Sequence, residues 1–236
     1  MKKTKLLLLA LMLINIQLFA QYDDVEQDYT KEILELEDFN SISASRGINI
    51  TFVKGLQPKA EIHIKNSSPE NVIIEQKGEQ LSVRMRPNKD KDVAVTVFIS
   101  IGMNKLNVLN VGTGAKVYSE TTINSDNLEI EQGSGSVVEL DINIENVALT
   151  CSSASTQLTG KSNFVDIKAS VGANIETTQL KSSEMNISAN LGANVVVCVQ
   201  DKITAKAFTG ARIAYCGTPS EEDISQTLGG KVEHFE

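Results

Sequence analysis

The residues best suited to chemistry in this chain are carboxylates. Glu129, Glu131, Glu139, Asp141, Asp166 and Glu176 fall within one central stretch, and Glu129 to Asp166 has the same separation as Glu139 to Glu176. Paired carboxyls cleave glycosidic bonds, held about 5 Å apart in retaining enzymes and about 6.5–9.5 Å apart in inverting ones. A second group is the cysteines. Cys198 and Cys216 stand 18 residues apart, and Cys151 stands alone. The histidines are only two, His63 and His234. Neither lies in a zinc-ligand spacing with cysteine, so no metal site is expected. Without a histidine and acid partner, none of the many serines reads as a nucleophile. The run GSGS (133–136) lacks the lysine and helix of a phosphate-binding loop. No cofactor is implied.

Whether the carboxylates meet depends on the elements that carry them. Small residues recur at Gly114, Gly135, Ala154, Gly172, Gly192 and Gly210, at spacings of 21, 19, 18, 20 and 18. Five residues before each centre stand Leu109, Ile130, Leu149, Ile167, Ile187 and Ala205. Three before stand Val111, Gln132, Cys151, Ala169, Ala189 and Ala207. Three after stand Val117, Val138, Gln157, Ile175, Val195 and Ile213. Polar residues fill most of the positions between. Each unit is thus a pair of short alternating strands bent at the small residue.

One such unit cannot bury its apolar side alone, but stacked copies about 4.8 Å apart can. The pattern predicts an all-β chain built as a right-handed parallel β-solenoid of about six 18–21-residue rungs. No proline interrupts residues 106–217, as an unbroken ladder requires. An antiparallel sandwich also has many short strands, but six copies agreeing in their columns favour the solenoid.

The segment SASRGINITF (43–52) obeys the same columns around Gly47. The strands after it, within 60–65, 71–76, 81–86 and 93–100, are less regular, with a hairpin turn at Lys77–Gln80. The expected organisation is an acidic N-terminal segment (21–38), a partly antiparallel β lobe (39–105), the solenoid (106–217) and a terminal cap or tail (218–236). Before these comes MKKTKLLLLALMLINIQLFAQ, whose three lysines, apolar run and Ala20 mark residues 1–20 as a signal peptide. The apolar run is short for a bilayer and is broken by Asn15 and Gln17, so no transmembrane segment is expected in the mature chain. Location outside the cytoplasm follows, in the periplasm, on the outer-membrane exterior or secreted.

The net charge of −8 becomes about −11 once the leader's lysines are gone. Such a chain has no electrostatic means of holding nucleic acid, and repulsion from anionic membrane surfaces is expected. Aromatics are 5% of residues with no tryptophan, which counts against a classical sugar-stacking groove.

On these rungs Glu129 and Asp166 share a column two rungs apart, as do Glu139 and Glu176, so each pair is expected about 9.6 Å apart. An outward face of alternating charges is more often a solvated surface. Asn174 and Asn194 are expected to form a short amide ladder, with Asn49 in the equivalent place. Cys151 falls in an apolar column as a buried thiol. Cys198 and Cys216 share a column on adjacent rungs, about 5 Å apart, which admits either a disulfide or two stacked thiols.

The order of motifs carries a resemblance. An F-x-x-I-x-x-x-x-G-I-N-I setting (Phe39 to Ile50) is followed by a G-x-x-L-x-V hairpin (Gly78, Leu81, Val83), the ladder of G-A-x-[IV] units and a late Gly229-Gly230-Lys231-Val232. This resembles the putative autotransporter adhesins with a head GIN domain, a domain of unknown function in Bacteroidetes-type bacteria. The resemblance implies an extracytoplasmic, solenoid-like binding protein and supplies no active-site residues. The leading expectation is a non-catalytic envelope or secreted scaffold whose faces bind a protein or a glycan. The alternatives are a carbohydrate-active β-helix enzyme and a periplasmic sensor or regulatory partner.

Overall fold

A computed structural model describes residues 30–87, 93–100 and 105–236. The expected leader and residues 21–29 lie outside the described residues. Two columns of strands carry the architecture. The first contains β2 (Ser41–Ser45), β6 (Gln80–Met85), β8 (Val108–Val111), β10 (Ile123–Gln132), β14 (Leu180–Ala189), β16 (Lys202–Ala207) and β18 (Glu221–Gln226). The second contains β3 (Asn49–Val53), β7 (Ala94–Ser100), β9 (Lys116–Ser119), β13 (Asn174–Thr177), β15 (Asn194–Cys198), β17 (Arg212–Cys216) and β19 (Lys231–His234). β11 (Val137–Ser152) and β12 (Ser155–Ser170) are long enough to serve both columns and join them into one curled sheet. From β8 to β19 the chain is a parallel β-solenoid of about seven turns.

Register is what makes the core. Ile42, Leu109, Ile130, Leu149, Ile167, Ile187 and Ala205 are successive partners across seven strands, and none is more than 1% exposed. A one-residue slip would turn the whole set outward, so burial of one face locks the pairing. At the outer corners the chain changes direction between two adjacent outward residues, such as Asp126–Asn127 and Asn163–Phe164. Here Ser125, Ser162 and Ser182 each donate to the carbonyl two residues ahead, all at 3.1 Å. Each buried hydroxyl thereby finds a backbone acceptor, as burial requires.

The opposite corner is the bend at the small residue. In five rungs two consecutive residues are left-handed, as in Val171 (φ 52) and Gly172 (φ 70). Two positive φ angles define the tight primed turn, for which glycine is suited at no steric cost. Bends stack as strands do: the N–H of Gly172 donates to the carbonyl of Leu191, Gly192 to Thr209, and Gly210 to Leu228.

The segment around Gly47 is itself a rung. β2 and β3 pair in parallel with β8 and β9, so the units around Gly47 and Gly114 are neighbours despite the intervening chain. That intervening chain folds over the exposed end. β6 and β7 add in parallel to β2 and β3. Then β5 (Val72–Lys77) and β4 (Lys59–Lys65) add antiparallel, and β1 (Thr30–Glu35) adds antiparallel to β4. Antiparallel strands close this end of the stack.

Two sequence expectations change. The third repeat was centred on Ala154, which put Gln157 inside. In the structure Ser153 alone occupies the left-handed position, and Val138 pairs with Thr156, which pairs with Ile175. That bend is one residue shorter than its neighbours, so Thr156 is buried and Gln157 exposed. Residues 218–236, expected as a cap or tail, form β18 and β19 in parallel register with β16 and β17. The terminal segment is one more turn of the same coil.

Column stacking makes a definite thermodynamic prediction. Ile167 lies between Leu149 and Ile187 at 0% exposure. Ile167→Ala is expected to lose about 2–5 kcal/mol of stability in chemical denaturation, while the adjacent outward change Lys168→Ala stays within about 0.5 kcal/mol.

Candidate functional site

The carboxylates stand where the rungs put them. Glu129 pairs with Ala148, which pairs with Asp166. Glu139 pairs with Gln157, which pairs with Glu176. Each expected pair is therefore in one outward column, two rungs apart, with an uncharged residue between. Three of the acids, Asp141, Asp166 and Glu176, are engaged by neighbours. Asp166 accepts from Asn186 at 2.6 Å and lies 3.7 Å from Lys168. Glu176 accepts from the hydroxyl and backbone N–H of Thr178, and Asp141 accepts from Thr122 and Thr159.

Among the described residues, the carboxylates of Glu61 and Glu221 have displaced titration, both downward. Glu61 is held below the usual range by hydrogen bonding to Lys31 and His63, each 2.6 Å away. Glu221 is lowered by Lys202 at 2.8 Å on the rung behind. A catalytic acid needs the opposite displacement.

His63 belongs to a cluster on the N-terminal lobe instead of free surface. Its ring meets Phe98 edge-on, with centroids 4.9 Å apart, and Lys54, Lys59 and Val53 complete a shallow cavity of about 270 Å³. His234 contacts the carbonyl of Gly217 at 2.8 Å and packs against Tyr215. Among the described residues, no three His, Cys, Asp or Glu side chains converge as metal ligands would.

Cys151 is buried, and burial pushes its thiol pKa up. An inert structural thiol results, because the thiolate is the reactive form. It sits in a buried polar cluster that breaks the apolar column. Gln132 donates to the carbonyl of Ser155 at 3.1 Å and accepts from the Thr156 hydroxyl, which also faces the Cys151 sulfur. Each polar group finds a partner, as burial requires. Cys198 and Cys216 pair across β15 and β17 with α-carbons 4.5 Å apart, within the span of a disulfide.

The outer ladders are longer than the sequence suggested. Asn194 donates to Asn174 at 2.9 Å as expected. Two further amide pairs, Asn143 to Asn124 at 3.0 Å and Asn146 to Asn127 at 3.1 Å, were missed. Their repeated offset between neighbouring rungs was the available signal.

A shallow depression on the outer surface crosses four successive rungs of the first column. Ser43, Asn110, Glu131 and Thr150 are paired in order along its floor, in a volume of about 540 Å³. The side-chain amide oxygen of Asn110 is buried beneath it with no hydrogen-bond donor among the described residues. This groove was not foreseen, since it forms only where the GIN rung meets the first repeats.

The fold and these faces define an all-β solenoid with an extended polar exterior. The chain belongs to the family described as "Putative auto-transporter adhesin, head GIN domain", which matches residues 38–219. Crystal structures of similar proteins share the fold. A putative adhesin from Bacteroides fragilis is 17% identical with a TM-score of 0.75, and one from Parabacteroides merdae is 16% identical with a TM-score of 0.66. A protein from Parabacteroides distasonis described as a putative lipid binding protein is 12% identical with a TM-score of 0.59. Each likeness covers 89% of this chain and 98% of the other. A search of curated proteins finds no match.

The cluster at Glu61 carries a pH prediction. A carboxylate lowered on folding stabilises the fold above its unfolded pKa, and that contribution disappears as pH falls through the folded value. Denaturation midpoints measured against pH should therefore show a loss below pH 4.5 that is reduced in Glu61→Gln. Equal acid sensitivity in both proteins would separate Glu61 from the stability of the lobe.

Proposed function

We propose that this protein is a non-catalytic, extracytoplasmic binding module, adhesin-head-like, that presents rigid solenoid faces to a protein or glycan at the cell envelope. The observation that carries this reading is the groove over Ser43, Asn110, Glu131 and Thr150. It offers the outward side chains of Ser43, Asn110, Glu131 and Thr150 in line at about 4.8 Å intervals. Such a strip suits an extended ligand rich in hydroxyls or amides. It lacks the reactive partners that turnover would need. The family description supports a binding role, and the apolar leader of residues 1–20 supports export.

Glycan and extracellular-protein arrays probed with the purified protein are the direct test. Saturable binding is expected, weakened about tenfold or more by Asn110→Arg, which fills the groove while lying outside the apolar column. Polysaccharide cleavage abolished by Asp166→Asn would replace this reading with the enzymatic one.

We also propose that Cys198 and Cys216 are joined, stapling β15 to β17 near the end of the stack. Closing an 18-residue separation restricts the unfolded chain and adds about 3 kcal/mol. Cys198→Ser should lose that amount under oxidising conditions and nothing under reducing ones. Non-reducing peptide mapping of natively exported protein should recover the linked pair, and finding both as free thiols would sink the assignment.

A further inference from the structure

The bends of the last four rungs form a ridge with an unusual composition. Val171, Leu191, Thr209 and Leu228 occupy the same left-handed position, with φ between 45° and 52°. Each is tied to the next by the glycine N–H to carbonyl bonds described above. Val171 is 50% exposed, Leu191 54% and Leu228 81%. Left-handed backbone is disfavoured for branched side chains, and asparagine or glycine would suit it better. Solvent exposure gives no packing reason for aliphatic residues here. Earlier bends carry Arg46 and Ser153 in left-handed backbone, so the fold itself does not ask for aliphatic residues there.

Charge supplies the second observation. The segments flanking these bends are 168–174, 188–194, 206–212 and 225–231. They contain Lys168, Lys206, Arg212 and Lys231 and no aspartate or glutamate, in a chain whose net charge is −8. Register places the bases on both sides of the ridge. Lys168 and Lys206 lie in the column on one side, and Arg212 and Lys231 pair directly on the other. Lys168 and Arg212 lean back to Asp166 and Glu233, while Lys206 and Lys231 have no carboxylate within 4.0 Å among the described residues.

We propose that this ridge seats the protein on an anionic lipid bilayer. A convex edge one residue wide has no concavity to enclose a ligand, and a protein partner would need a matching slot. A headgroup layer conforms to it. Aliphatic tips enter the acyl boundary while bases on either flank meet lipid phosphates, the arrangement of interfacial binding elements. Net acidity does not oppose this strongly, because screening at about 8 Å leaves the charges at the contact dominant. The inference concerns a different surface from the groove and does not depend on it.

The test is flotation with two kinds of vesicle, phosphatidylcholine alone and phosphatidylcholine with about 30% phosphatidylglycerol, using protein expressed with its leader and recovered in its processed form. Wild type is expected to float with the anionic vesicles, to release at high salt and to ignore the neutral ones. The triple change Val171→Asn, Leu191→Asn and Leu228→Asn places a left-handed-tolerant residue at each bend. It should fold at least as well as wild type and lose flotation. Lys206→Glu with Lys231→Glu should weaken binding on the order of tenfold or more. Failure of wild type to float with anionic vesicles, equal flotation with neutral ones, or undiminished flotation of the asparagine variant would each overturn the proposal.

Discussion

The structure depends on one constraint: equivalent residues on successive rungs lie directly over one another, hydrogen-bonded in parallel register. Inside, this gives a column of branched aliphatic side chains, Ile130 over Leu149 over Ile167 over Ile187. Outside, the same register makes ladders of asparagine. The two are a single effect seen from opposite faces of a strand. Because neighbouring rungs contact each other most, each turn depends on those beside it. The antiparallel strands β1, β4 and β5 close one end, and β18 and β19 form the other.

The bend is where regularity gives way. Glycine permits the left-handed turn, and its N–H ties one bend to the next. Where glycine is absent, at Ser153, the turn shortens by a residue and a threonine moves inward. Gln132 on the rung behind supplies the acceptor that the Thr156 hydroxyl needs. Thr156, brought inward by the shorter bend, thus joins Gln132 and Cys151, which their own register already places inside.

These details also mark how much could be read beforehand. The stack, the inward columns and the pairing of Cys198 with Cys216 by rung were legible, because strict repetition exposes them to simple alignment. The shortened bend was misplaced, since alignment on small residues has no means of telling Ala154 from a turn residue. The final turn was missed because its inward positions, Ile224, Gln226 and Val232, mix apolar with polar and lack a further rung to bury them. The groove and the basic ridge were invisible for a different reason. Their members are about 20 residues apart in sequence and become neighbours only across rungs. The GIN rung lies still further from its partner, because β4 to β7 intervene.

Repetition also bears on how the proposed binding role would use this architecture. A parallel stack aims every side chain of a column in one direction, so unlike groups are held side by side and do not converge. Catalytic sites need convergence, with an acid, a base and a substrate atom within hydrogen-bond reach. A solenoid gains that by inserting loops that fold back over a face. The links between these rungs are only a few residues long, and Asp141, Asp166 and Glu176 are held by threonine, asparagine and lysine neighbours. What repetition builds well is a long, stiff surface with regularly spaced contacts. Recognition of an extended or planar partner uses that property directly.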